Sequence, residues 1–153
     1  LCGELNPTQS GVYDVLEAIF TEMLGMFGVK QFHLGGDEIH LGCWNASEDV
    51  VAWLQEHGRG RDEADFMFLW SSFLQESVKR IQKAGMTPNL VYWTNGLTKP
   101  EHISYLDPNL FSIQIWSNGQ ECINIFAFHP LRVSYSRTMG TQLSRLLPRL
   151  GSR

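Results

Sequence analysis

The run Val29-Lys30-Gln31-Phe32-His33-Leu34-Gly35-Gly36-Asp37-Glu38 limits the possible folds more than any other part of the chain, because a short apolar segment ends in two glycines and two carboxylates. Its first six residues read as a buried strand. Paired glycines accept backbone angles that side chains exclude, so the chain can turn sharply at the strand tip. Asp37 and Glu38 then stand at the mouth of the turn. Neighbouring side chains on extended backbone point different ways, so two adjacent acids can take different roles, one orienting a substrate and the other moving a proton.

Amphipathic segments flank this strand. Val12, Val15, Leu16, Ile19, Phe20, Met23 and Leu24 recur at helical spacing, between caps offered by Thr8 and Ser10 and a stop at Gly25 or Gly28. Ser47-Glu48-Asp49 opens a short helix through Gln55, and Gly58-Arg59-Gly60 breaks it. From Asp65 to Ala84, the residues Phe66, Leu69, Trp70, Phe73, Leu74, Val78 and Ile81 make one apolar stripe that Gly85 ends. Two further strands follow, Asn89–Trp93 and Phe111–Trp116, joined by an Asn95-Gly96 turn and a connection with a short helix at Glu101–Tyr105. Such alternation predicts parallel βα units, whose functional side chains gather at the C-terminal strand ends. Asp37, Glu38, Trp93 and Trp116 all fall at such ends.

Length sets the next limit. The 153 residues, 43% of them hydrophobic, can bury a core, yet a (β/α)8 barrel typically takes about 250 residues. The expectation is therefore a partial barrel. No apolar run is long enough to span a membrane, and no basic-then-apolar leader opens the chain, which carries no weight in a piece of a barrel. A net charge of −4 provides no basic footprint for nucleic acid and leaves a neutral glycan open as a ligand.

Cys2, Cys43 and Cys122 lack the paired short spacing of a zinc site, so no metal is expected. His33, Asp37, Glu38 and His40 are the rival metal set, without a known ligand spacing to support them. Asn45-Ala46-Ser47 is an N-glycosylation sequon. An isolated Asp-Glu pair is most often a solvated loop or a helix N-terminus, and His33 reads equally as support for the acids or as a core histidine. Trp53 and Trp70 sit on helical stripes and read as core, whereas Trp44 is open between core and cleft. Tyr92 alternates away from Trp93.

The string His33-Leu34-Gly35-Gly36-Asp37-Glu38 resembles the His-x-Gly-Gly-Asp-Glu signature of the family 20 glycoside hydrolases, the β-N-acetylhexosaminidases. Cys2-Gly3-Glu4-Leu5-Asn6-Pro7-Thr8, Tyr13, Cys43-Trp44, Val91-Tyr92-Trp93 and Ile113-Gln114-Ile115-Trp116 also resemble that family, most closely the insect chitooligosaccharide-cleaving N-acetylglucosaminidases. The resemblance covers residues 1–124 and implies a partial (β/α)8 TIM barrel holding the catalytic strand end. It makes Glu38 the general acid and base, Asp37 the group that orients the substrate's acetamido, and Trp93 and Trp116 the walls of the sugar pocket. It implies a retaining exo-hydrolase that takes N-acetylglucosamine or N-acetylgalactosamine from N-acetylated oligosaccharides, without a cofactor. Full-length relatives leave a homodimer open, and the sequon suits a secreted or lysosomal route. In relatives the loop cysteine is often bridged, so Cys43 either pairs with Cys2 or remains a buried thiol.

Residues 125–153 depart from the pattern. Arg132, Arg137, Arg145, Arg149 and Arg153 stand there with no acid among them, which reads as a divergent basic tail. The family's next strand and its Asn-Tyr-Asp-like block are not recognised in it. A second reading follows from a different class: an inactive truncated fragment, acting at most as a sugar- or partner-binding remnant.

Overall fold

A computed structural model describes residues 2–116 and the strand at 132–135. Along the chain these are α1 (Ser10–Phe27), β1 (Gln31–His33), α2 (Leu41–Asn45), α3 (Glu48–Glu56), α4 (Glu63–Lys83), β2 (Asn89–Trp93), two short 3-10 turns (Gly96–Thr98 and Ile103–Tyr105), β3 (Phe111–Ile115) and β4 (Arg132–Tyr135). The strands form one sheet in the order β1-β2-β3-β4, parallel at every step. Parallel pairing requires a crossover between neighbouring strands, and the helical segment from α2 to α4 supplies it between β1 and β2.

β4 corrects the sequence reading, which recognised no further strand in the tail at 125–153. Its register, Ser112 with Arg132 through Ile115 with Tyr135, continues the parallel ladder. Four residues with one alternating apolar position carry too little periodicity to be read alone. The rest of 125–153, and Cys122, lie outside the described residues.

The register sorts side chains onto two faces. Phe32, Leu90 and Phe111 pair across one face with Tyr92 and Ile113, and Leu90, Tyr92, Phe111, Ile113 and Ile115 are all buried there against the helices. His33, Val91 and Ser112, then Trp93 and Gln114, pair on the other face. That second face is the more polar: Asn89 Nδ2 donates to Ser112 Oγ at 3.0 Å, and the Ser112 hydroxyl donates back to Asn89 Oδ1 at 3.1 Å. Tyr92 therefore points away from Trp93, as its alternation predicts.

α4 buries Phe66, Leu69, Trp70, Leu74, Val78 and Ile81 of its predicted stripe, with Phe73 half-buried. It begins at Glu63, two residues earlier than its apolar pattern suggests, because the Asp62 N–H donates to Asp65 Oδ2 at 3.0 Å and closes the first turn. α1 ends where expected: Gly28, left-handed at φ 55°, donates its N–H to Leu24 O at 3.0 Å. The caps at its other end are corrected. Gln9 is the N-cap and neither Thr8 nor Ser10 caps the helix; the Thr8 hydroxyl donates to Asn6 Oδ1 at 2.7 Å in a local turn instead.

α1 also divides its apolar stripe. Phe20 and Leu24 are buried, whereas Val15, Ile19 and Met23 are 60%, 44% and 41% exposed. One flank packs on α4 and the other stands open beside β1, an edge strand among the described residues. A lateral ionic clamp reinforces the packed flank: Arg80 of α4 reaches Asp14 and Glu17 of α1 at 2.8 Å each and Glu76 at 3.0 Å, while Lys83 reaches Glu17 at 2.8 Å. The Lys83 and Arg80 hydrogen bonds hold the Glu17 carboxyl below its ordinary range, and Arg80 does the same to Glu76.

Because those folded-state values are depressed, the clamp stabilises fully above the ordinary glutamate range and is lost as pH falls through and below it. Arg80→Ala is therefore expected to lower the melting temperature of the chain at neutral pH, with the difference from the unmodified chain shrinking in acid. Melts followed by circular dichroism across that range check it; a difference that grows as pH falls contradicts the clamp.

Candidate active site

The parallel ladder does not stop at the end of β1. Leu34 N donates to Val91 O at 2.9 Å and Trp93 N donates to Gly35 O at 3.0 Å, so β2 grips the chain up to the first glycine. Beyond it the backbone turns through left-handed angles at Gly35 (φ 72°), Gly36 (φ 85°) and Glu38 (φ 50°). Gly36 is needed for two reasons: its φ, and a Cβ there would lie 2.0 Å from the Tyr92 ring. A non-glycine residue held left-handed costs about 1–2 kcal/mol, and such strain gathers at functional positions. Asp37 and Glu38 emerge from this turn exposed to solvent.

His33 bonds to the turn that carries the acids. Its Nδ1 accepts the Gly35 N–H at 2.9 Å, which leaves the ring proton on Nε2, a buried atom without a hydrogen-bond partner among the described residues. Burial lowers its pKa, against smaller opposing effects of the Gln114 side chain and the Asp37 charge, so the imidazole stays neutral around pH 7. Its ring lies 4.5 Å from that of Trp93, which places the strand-end tryptophan beside the acid-bearing turn on one face of the sheet. Trp116 follows β3, 44% exposed, and its Nε1 donates to Thr94 O at 2.9 Å, fixing the indole across the tip of β2.

The N-terminal segment straps the loop after the acids. Cys2 and Cys43 are joined by a disulfide. Glu4 accepts the His40 N–H at 3.0 Å through Oε1 and the Gly3 N–H at 3.0 Å through Oε2, and the His40 bond is the chief cause of its lowered pKa. Trp44 Nε1 donates to Leu5 O at 3.1 Å, and the buried indole packs edge-on to Trp70. Trp44 thus belongs to the core. So does Trp70, while Trp53 is half-buried and stacked on His57 at 3.7 Å.

α2, too short for a periodic signal, carries Cys43 and Trp44 to these contacts. Among the described residues the one convergent set of metal-ligand types is Cys2, Glu4 and Cys43, whose two sulfurs are bonded to each other. The rival set of His33, Asp37, Glu38 and His40 is not brought together. Asn45 is half-buried at the end of α2, where Arg61 donates to its Oδ1 at 2.6 Å and to its carbonyl at 2.8 Å.

Sequence reasoning missed Glu4 and Asn95 as supports. Asn95 donates from Nδ2 to Gly36 O at 2.6 Å and to Trp93 O at 2.8 Å. An Asn-Gly pair signals a turn, and nothing in it marks the distant carbonyl that the amide reaches.

The site therefore joins a strand-tip acid pair, two tryptophans on the neighbouring strand ends and a disulfide-strapped loop. The family model described as "Glycosyl hydrolase family 20, catalytic domain" matches residues 1–138. The chain is 37% identical over 123 residues to the chitooligosaccharidolytic β-N-acetylglucosaminidase of Bombyx mori, covering 78% of this chain and 21% of that protein. It is 36% identical over 121 residues to the protein of the same name from Ostrinia furnacalis, covering 77% of this chain and 20% of that one. The chain thus spans about a fifth of the length of these relatives. Among solved structures, a GH20 exo β-N-acetylglucosaminidase from Vibrio harveyi in complex with N-acetylglucosamine superposes with a TM-score of 0.68 over 86% of this chain and 19% of that one, at 21% identity. That likeness makes the fold TIM-barrel-like, with the described sheet a part of it. With the family model running through the acid-bearing turn and past β4, the chain belongs to glycosyl hydrolase family 20.

Proposed function

We propose that this chain supplies the catalytic strand end of a retaining exo-β-N-acetylhexosaminidase, acting on terminal N-acetylglucosamine or N-acetylgalactosamine of glycans or chitooligosaccharides. The observation that carries the reading is the turn itself: two glycines and Glu38 in left-handed backbone present an exposed acid pair at the C-terminal end of a parallel strand. The names of the Bombyx mori and Ostrinia furnacalis relatives favour a chito-oligosaccharide substrate.

Family 20 enzymes are among the substrate-assisted exceptions to the two-carboxylate scheme of glycoside hydrolysis. On this reading Glu38 donates its proton to the leaving glycosidic oxygen while the substrate's own acetamido oxygen attacks the anomeric carbon. The sugar–oxygen bond breaks, and an oxazolinium ring closes. Glu38, now a carboxylate, takes a proton from water as that water opens the ring. Asp37 holds the acetamido N–H, aims its oxygen and stabilises the positive charge on the ring. Trp93 and Trp116 offer apolar faces on which the sugar stacks. Neutral His33 keeps the turn in place through Gly35.

No step in this scheme uses a metal or cofactor. The Cys2–Cys43 bridge favours an oxidising compartment, and the Asn45 sequon suits the same secreted or lysosomal route. No described helix is long and apolar enough to cross a membrane.

The binding-remnant reading keeps one observation in its favour. The described sheet has four strands in open order, with β1 and β4 at its edges, so these residues wall a mouth on one side only. The 153-residue chain by itself is expected to release no chromophore from a chromogenic N-acetylglucosaminide, since the orienting groups of a closed pocket are worth several decades of rate. Turnover by the purified chain at the rate of full-length relatives contradicts this.

Catalysis is testable in a complete barrel made by placing residues 2–116 at the matching segment of the Bombyx mori relative. There, Glu38→Gln keeps the shape but has no proton to give. Turnover is expected to fall at least ~10²-fold with binding of a competitive inhibitor retained. Near-normal turnover by that variant removes Glu38 from the role of acid.

A further inference from the structure

We propose that Asn95 is a positioning residue that locks the acid-bearing turn and the tryptophan-bearing strand end into one rigid unit. Its catalytic consequence rests on the hexosaminidase reading, whereas the lock itself does not.

Both hydrogens of the Asn95 amide and its oxygen are engaged. Nδ2 spends one hydrogen on Gly36 O at 2.6 Å and the other on Trp93 O at 2.8 Å, while Oδ1 accepts the Leu97 N–H at 2.7 Å. The last bond decides which end of the amide is which, because only the oxygen can accept an N–H. Gly36 O belongs to the peptide that leads into Asp37, and Trp93 O to the peptide that leaves the pocket wall. One side chain therefore fixes the peptide plane entering the acid pair and the plane leaving the tryptophan.

The residue that does this is itself held. Asn95 N donates to Thr98 Oγ1 at 3.0 Å, and the Thr98 hydroxyl and amide both return to Asn95 O, at 2.9 and 3.2 Å. Leu97 and Thr98 are buried, which anchors the small turn that carries them. A Cβ at Gly96 would lie 3.0 Å from Met67 Sδ, so this turn sits tight on α4. The turn at Gly36 is also supported by a second contact from the same stretch of chain: the Tyr92 ring occupies the space a Cβ at Gly36 would take. Tyr92 is buried, with the rings of Trp70 and Phe111 packed edge-on to its own. Gly36 is thus confined by Tyr92 and tied by Asn95, three residues apart in sequence and 59 away from the turn they hold in the case of Asn95.

Asn95→Asp separates the lock from the local cap. It is isosteric and keeps the acceptor for Leu97 N–H, but it turns the two donated bonds into a carboxylate oxygen facing two carbonyl oxygens. Asn95→Ser is the milder partner, able to accept from Leu97 but too short to bridge.

Hydrogen exchange by mass spectrometry on the 153-residue chain is the first arm. In both variants peptides covering 34–41 are expected to exchange roughly tenfold faster or more, with peptides from α4 unchanged. Where Asn95→Asp loosens α4 as well, Asn95→Ser alone decides. Unaltered exchange in 34–41 overturns the lock.

The second arm is turnover in the complete barrel, where a displacement of about 1 Å at the reacting groups can cost about 10²-fold. Both variants are expected to lower kcat about 10- to 100-fold with KM within about threefold, because orientation acts on the transition state more than on binding. A loosened turn with unchanged kcat overturns the positioning role. An unmodified complete barrel without turnover counts against the hexosaminidase reading, and the exchange arm then decides the lock on its own.

Discussion

The site depends on a pair of hydrogen bonds that carry a parallel ladder past the end of its strand. Leu34 N to Val91 O and Trp93 N to Gly35 O bind the chain to β2 up to the residue where it must reverse. Ladder bonds fix register, and register decides which face every side chain takes. Shifting β1 by one residue would send His33 into the helix layer and Phe32 into the polar face. The acid pair would then leave from a different height above β2. Everything else at the mouth is adjustment around this fixed exit: His33 accepting from Gly35, Tyr92 filling the space beneath Gly36, and Asn95 holding its carbonyl.

Local rules accounted for much of this. The glycine doublet needs no tertiary knowledge to read as a turn, and the structure gives both residues positive φ. The stripe of α4 was readable because 21 residues sample one face many times. Tyr92 against Trp93 followed from strand alternation. The sequence leaves Cys43 open between a bridge to Cys2 and a free thiol, and the structure forms the bridge, since the N-terminal segment runs past α2.

What stayed hidden was set by contacts between distant parts of the chain. Asn95 reaches a carbonyl 59 residues away and Glu4 an amide 36 residues away, and neither residue looks unusual among its neighbours. Trp44 was undecided because a loop tryptophan can face cleft or core, and only its bond to Leu5 O and its packing on Trp70 settle it. β4 is a short strand made by its partner: β3 presents a free row of donors and acceptors, and four residues complete it. Helical spacing alone did not say how much of the α1 stripe is covered. Its seven apolar positions recur at helical spacing as read, but Val15, Ile19 and Met23 of them stand open, and among the described residues β1 is an edge strand.

On the proposed function, this turn serves a reaction in which the substrate's own acetamido group attacks the anomeric carbon. The most direct test is the rate at which the complete barrel hydrolyses a series of chromogenic N-acetylglucosaminides whose acetyl group carries none, one, two or three fluorines. Fluorine withdraws electrons from the acetamido oxygen and leaves the glycosidic bond and the sugar ring as they were. A steep, progressive fall in kcat along the series is predicted, because on the proposed mechanism the weakened oxygen is the nucleophile, aimed by Asp37 and assisted by Glu38. A flat response would place the nucleophile elsewhere and contradict the role given to Asp37.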